Sequence, residues 1–262
     1  MTDSYRALCT DFYVNQKVVL RMELPRDRDR VLDMFDRVRR AFPSMDQFRK
    51  YRDELALESG PPSSQGGASG SGQWLGIRSH SIRSGCVNPD DLSQAYRLHR
   101  HVLESAPYFL SISPLDVDYI ELLYGFDMLA AGNHDEIVYS ALLEGTPLAA
   151  LRDDRAPEVI DCQPILGFSV SDSGGMETQF EVKTRPTRTR GGGDSGSAPG
   201  GGDEQAEPIS VYLTMRAYGP VGDIADMPKV LDGLTKVGKE MLDGRLVPYL
   251  LTPIRDAISH TG

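Results

Sequence analysis

The sequence predicts an α+β fold made of two pseudo-repeated βαββα units packed into one body. Three observations carry this expectation. Apolar residues recur with period two in some stretches and near 3.6 in others, so strands and amphipathic helices alternate along the 262 residues. Two glycine-rich stretches interrupt the pattern, and short sequence matches flank both of them in the same order. The first unit is placed at residues 1–110. The second, at 111–262, carries one extra strand, and together they make one compact domain.

From Phe12 the chain alternates, with Phe12, Val14, Val18, Leu20, Met22 and Leu24 on one side of a strand that Pro25 ends. Val31, Met34, Phe35, Val38 and Phe42 then recur at helical spacing, and Pro43 closes that helix. Residues 47–58 read two ways. Ser44 and Gln47 form a potential capping box, while Tyr51, Leu55 and Leu57 alternate as in a strand. The strand is preferred because Trp74 to Ile82 also reads as extended and can pair with it. Asn88 as cap and Pro89 in the first turn start a helix, Asp90 and Asp91 sit at its positive end, and Pro107 stops it.

A strand from Asp116 to Met128 points Ile120, Leu122, Tyr124, Phe126 and Met128 to one face and is apolar enough on the other to be central. A short helix runs from about His134 to Leu143. Strands from Val159 to Val170 and from Met176 to Thr184 are joined by a turn at Asp172, Ser173, Gly174 and Gly175. A strand from Ile209 to Tyr218 leads to a helix starting near Asp226, striped by Val230, Leu234, Val237 and Met241 and capped by Gly244. The tail through Pro248 and Pro253 adds helical turns.

The glycine-rich stretches, residues 60–72 and 190–207, offer no apolar surface to offset the entropy of ordering them and are expected to be mobile. Met45, Asp46, Gln47, Phe48 before the first stretch matches Met176 to Phe180 before the second. Ile82 to Val87 matches Met215 to Val221, and Pro107 to Leu110 matches Pro248 to Leu251. Both stretches then fall between the same two strands, as hairpin loops. One such unit leaves a sheet edge unpaired and a face partly bare, which two copies about a pseudo-two-fold axis would cover. The N-terminal half also reads as the ferredoxin-like order β-α-β-β-α-β.

The net charge of −10 is concentrated in residues 110–184, where 3 basic residues meet 14 acidic ones. Such a surface repels phosphate backbones, so no nucleic acid is expected as partner. It suits a cation or a basic partner, although blocks of one sign mostly just solvate a surface. No apolar run is long enough to span a membrane. The N-terminus lacks the apolar block of a secretory signal, which leaves the cytoplasm as the expected compartment. Cys9, Cys86 and Cys162 are too far apart for a disulfide framework or a zinc knuckle and read as small buried side chains.

Gly132, Asn133, His134, Asp135 and Glu136 form the sharpest motif. It resembles the Gly-Asn-His-Asp/Glu signature of calcineurin-like metallophosphoesterases, which implies a metal on Asn133 and proton transfer by His134. That family also needs an upstream Asp-x-His, a Gly-Asp pair and later histidines, whereas only His260 follows here. A strand-to-helix turn capped by Asn133 is therefore expected. Glu121, Asp127, Asn133, His134 and Asp135 are still the candidate polar cluster, since carboxylates with imidazole bind divalent ions or move protons. Six residues along a strand separate Glu121 from Asp127 by about 20 Å. His99 lies on an apolar helical stripe and reads as a hydrogen-bonded core residue, His101 as a solvated one. No Gly-x-Ser-x-Gly elbow, phosphate-binding loop or Cys-x-x-Cys is present, and no base can be placed beside a serine.

These readings favour a non-catalytic binding or assembly protein without metal or cofactor, whose partner is another protein or a second copy. The alternative is a small-molecule or divalent-cation binding protein, or an enzyme, with an acidic pocket near the end of the 116–128 strand.

Overall fold

The computed structural model describes residues 5–24, 27–60, 70–153, 155, 158–170, 175–185 and 207–261. Among the described residues nine strands form one antiparallel sheet: β1 (Asp11–Leu20), β2 (Met45–Lys50), β3 (Leu55–Ser59), β4 (Gly72–Arg78), β5 (Ser81–Val87), β6 (Val117–Ala130), β7 (Ile165–Val170), β8 (Met176–Lys183) and β9 (Glu207–Tyr218). Their order across the sheet is β2-β3-β4-β5-β1-β6-β9-β8-β7. Helices α1 (Arg28–Ala41), α2 (Leu92–Leu110), α3 (His134–Leu142), α4 (Met227–Met241) and α5 (Thr252–Thr261) complete the mixed architecture. None of the described helices is long and apolar enough to cross a membrane.

Period-two alternation becomes rows of side chains across the sheet. Cys86, Val14, Tyr124, Leu213 and Phe180 stand side by side on β5, β1, β6, β9 and β8, and all five are buried. The helices lie over this face. Val31, Met34, Phe35 and Val38 of α1, Leu98, Val102 and Leu103 of α2, and Leu231 and Leu234 of α4 join the same hydrophobic core. The helix α4 approaches closest at Gly238, where a Cβ would stand 2.8 Å from the Tyr124 ring and 3.1 Å from the Met215 sulfur. Gly238→Val is therefore expected to overpack this contact and cost about 1–3 kcal/mol, read as a lowered denaturation midpoint.

Several boundaries differ from the sequence expectation. The segment 47–58 is not one strand but belongs to a hairpin, β2 and β3, and the stretch around Trp74 to Ile82 is a second hairpin, β4 and β5. The first half thus reads βαββββα, with two more strands than βαββα and, before its second helix, two more than the ferredoxin-like order. The second half reads βαβββα up to α4. The strand expected from Val159 begins at Ile165. β1 leaves the ladder at a register shift after Val19, so Met22 is exposed; Pro25 lies outside the described residues.

Helix ends differ for identifiable reasons. Asn88 does not cap α2. Its backbone is left-handed (φ 46°) and its buried amide accepts from the Phe12 amide and donates to Asp11, which fastens the β5 end to β1. Asp91 is the cap, accepting from the Gln94 amide at 2.9 Å. Pro107 does not stop α2, because a proline in the last turns removes a single backbone bond and buried Pro107 and Leu110 keep that turn packed. The helix stops at left-handed Ser111, and the Pro107 carbonyl accepts from the Ile112 amide. Gly244 does not cap α4 either. The chain continues through a widened π-helical stretch, Leu242–Leu251, into α5, because buried Leu242, Leu246, Leu251 and Ile254 extend the apolar stripe past the glycine.

Residues 61–69 and 190–206 of the two expected loops, and 172–174 of the expected turn, lie outside the described residues. The two loops do not occupy equivalent places. The first joins β3 to β4 and the second joins β8 to β9, which are different strands counted outward from the β1–β6 centre. The additional strand of the first half shifts its loop outward.

Candidate functional site

The five candidate residues divide into two groups. Glu121 and Asp127 lie on β6 and point to the face opposite the helices. Glu121 accepts from the Arg216 guanidinium on β9 at 2.6 Å, and Lys17 stands directly opposite it on β1. The pair holds the Arg216 guanidinium above its usual pKa, in spite of desolvation, which pulls the other way. Asp127 accepts from the Ser210 hydroxyl at 2.6 Å and from Tyr13 at 3.4 Å. Burial first, then hydrogen bonding to the Tyr212 side chain and the Asp127 charge, raises the Tyr13 phenol, so it stays neutral and donates.

Asn133, His134 and Asp135 share the first turn of α3. The Asn133 side chain accepts from the Asp135 and Glu136 amides and donates to the Val159 carbonyl at 2.9 Å. That is the turn and cap expected for the motif, with the cap also fastening the chain ahead of β7. His134 is buried, its Nε2 lies 3.1 Å from the Ala130 carbonyl, and its Nδ1 has no hydrogen-bond partner among the described residues. Asp135 is buried and accepts twice, from the Cys162 amide at 2.9 Å and the Thr184 hydroxyl at 2.6 Å. Apart from the Asn133–Asp135 contact, none of the five is hydrogen-bonded to another. Among the described residues no three His, Cys, Asp or Glu side chains are grouped to hold a metal ion.

One hydroxyl–imidazole pair escaped the sequence reading. Ser84 Oγ lies 2.8 Å from His99 Nδ1 and donates to Gln16 Oε1 at 3.3 Å. A base does stand beside a serine, contrary to expectation. Its signal was the core-facing phase of Ser84, between Ile82 and Cys86, and of Gln16, between Val14 and Val18. All three side chains are sealed in the core, so the trio braces α2 against β5 and β1 and offers no surface to a substrate. The expected core role of His99 is what the packing gives it. His101 is not simply solvated; it is half-buried, with its ring edge against Phe42 at 5.6 Å.

Among the described residues, what stays open is an edge and the depressions beside it. The two outer strands differ sharply. The β2 edge carries Asp46, Arg49 and Lys50, charges that discourage pairing with other chains, and α1 packs on it through Phe35 and Phe48. The β7 edge carries no charge, and Ile165, Leu166 and Phe168 are 56%, 58% and 53% exposed. The Cys86-to-Phe180 row ends at Leu166, which the described residues leave exposed. Beside the edge, a groove of about 780 Å³ runs between α4 and the end of the sheet, with Val170, Met176, Val230 and Val237 in its lining and Lys229 and Glu240 among its charges. On the opposite face a hollow of about 270 Å³ lies over Gly167 and Ser169, bordered by Glu177, Gln179 and Arg216. No protein-family model matches this chain, and no curated protein matches it.

Proposed function

We propose that this chain is a non-catalytic binding or assembly protein, made of two related halves, whose partner joins the sheet by adding a strand to β7. One observation carries the reading. Among the described residues, of the two sheet edges only β7 combines an uncharged strand with three large, half-exposed apolar side chains and no helix over them. An edge of that kind is a template for another strand, and native proteins ordinarily blunt it. The relation between the halves is supported by strand order: β1-β5-β4-β3 runs outward on one side of the centre and β6-β9-β8-β7 on the other. Where α1 packs on the outermost strand of the first half, no described helix covers β7 in the second. Cys9, Cys86 and Cys162 are free thiols, which suits a reducing compartment such as the cytoplasm.

A photo-crosslinking residue at Ile165 in the intact protein, expressed in cells, tests this. A discrete adduct is expected from Ile165, lost in a Leu166→Lys/Phe168→Lys background, and absent when the probe sits at exposed Met22, off the edge. Equal labelling at Ile165 and Met22, or none at either, overturns the reading.

A further inference from the structure

The free edge of β7 is its own complement, and we propose that its occupant is a second copy of this chain, paired antiparallel through β7 about a two-fold axis at Gly167. This rests on the reading that β7 is the docking edge and adds the partner and the register.

Backbone direction sets the first constraint. The Val182 amide donates to the Pro164 carbonyl at 3.0 Å, so Pro164 belongs to a hydrogen-bonded pair with β8. Such pairs alternate along an antiparallel ladder. Leu166, Phe168 and Val170, opposite Phe180, Thr178 and Met176, therefore turn their backbone groups inward. Ile165, Gly167 and Ser169 turn theirs to the free edge. A two-fold axis perpendicular to the sheet keeps each face with its like, so only residues of the same phase oppose one another. With Gly167 opposite its own copy, Ile165 meets Ser169 on both sides of the axis. All three outward residues of each strand then find mates in hydrogen-bonded positions. A shift by two residues leaves Ile165 or Ser169 without a mate in the strand.

Side chains agree with that register. On the helix side Leu166 stands opposite Phe168 twice, giving four apolar side chains around the axis. On the other side Ile165 of each copy stands opposite Ser169, at the mouth of the hollow over Gly167 and Ser169. A knob thus meets a hole on the same short strand, and a foreign strand would not in general supply the knob. No charge on β7 opposes the pairing, whereas β2 carries Asp46, Arg49 and Lys50. A contact of six residues a side belongs to the transient class of interfaces, below about 1,200 Å².

Cysteine pairing tests the register in the full-length protein. A Cβ at Gly167 meets nothing closer than the Thr178 carbonyl at 4.0 Å, so Gly167→Cys is accommodated. Two Cα atoms facing each other across a hydrogen-bonded pair lie about 5.5 Å apart, within disulfide range. With oxidised glutathione as oxidant, Gly167→Cys is expected to convert from monomer to a species of twice the mass. The same is expected of Ile165→Cys/Ser169→Cys, but not of Ser169→Cys alone or of the wild-type chain, whose Cys86 and Cys162 are buried and whose half-buried Cys9 precedes central β1, away from the β7 edge. Adding Leu166→Lys/Phe168→Lys should abolish the dimer. If Gly167→Cys dimerises no faster than Ser169→Cys while the Ile165 probe still captures another protein, the two-fold pairing is overturned and the docking edge stands. If the probe also captures nothing, both fall.

Discussion

Acidification below about pH 6.5 is expected to destabilise this protein, and the largest share is assigned to His99; burial also lowers the His101 pKa. The His99 ring is fully enclosed, and burial depresses its pKa from 6.5 to about 3. The Val14 carbonyl opposes the shift without cancelling it, and Nε2 has no hydrogen-bond partner of good geometry among the described residues. Only the neutral ring fits the core, so the unfolded chain takes up a proton first as pH falls. The stability tied to the neutral ring is complete above 6.5 and is lost progressively between 6.5 and about 3. The loss approaches about 1.4 kcal/mol per pH unit, or roughly 2 kcal/mol by pH 5. Urea denaturation at a series of pH values measures it. Carboxylates titrate in the lower part of this window, so the diagnostic quantity is a difference in slope. His99→Leu, which retains the Ser84–Gln16 contact, should have a pH slope shallower by close to one proton between about pH 6.5 and 4.5. Identical slopes for the two proteins would show that His99 is not the group that senses acid.

The same residue marks how far sequence alone could be read. A histidine on the stripe of Ala95, Val102 and Leu103 had to be buried, and a buried imidazole had to find a partner. That partner was harder to see because Ser84 and Gln16 look like ordinary breaks in two strands until registration puts them side by side. The centre of the sheet was legible for a related reason. β6 is long and strongly alternating, and its phase names the buried Ile120, Leu122, Tyr124, Phe126 and Met128 without ambiguity. The hairpins were not. Residues 47–58 and 74–82 each contain a turn made from ordinary residues, Tyr51 to Glu54 and Ser79 to His80, with no glycine or proline to punctuate it. Cap signals misled where tertiary contacts compete for the same side chain, as Asn88 did by serving β1. The candidate cluster failed to assemble because its members belong to different elements, a strand face and a helix start, that turn away from each other. Glu121 and Asp127 belong to the open face of the sheet, and Asp135 to a buried clip. The β7 edge was anticipated only in general terms, as a consequence of a finite sheet, because which strand ends a sheet is a property of long-range pairing.

Asp135→Ala is expected to destabilise the protein by about 3 kcal/mol, the largest effect among the five candidate positions. The carboxylate accepts from the Cys162 amide and the Thr184 hydroxyl with the same oxygen, and both donors are buried. It therefore ties three pieces of chain, the start of α3, the segment ahead of β7 and the end of β8. Alanine leaves an amide and a hydroxyl without an acceptor in a place water does not reach, which costs more than the bonds themselves stabilise. An asparagine side chain would keep an oxygen where both donors converge and lose only the charge assistance, so Asp135→Asn should cost about 1 kcal/mol. Thr184→Val removes one donor with little change of shape. A cycle built from Asp135→Ala, Thr184→Val and the double variant should return a coupling of about 1–2 kcal/mol. Because the clip fixes the chain ahead of β7 to the end of β8, losing it should also speed amide exchange at Leu166 and Phe168, whose backbone groups face β8. A stable Asp135→Ala protein with unchanged exchange there would mean that the carboxylate is not a structural clip. Its burial would then need a chemical role of the kind the acidic cluster first suggested.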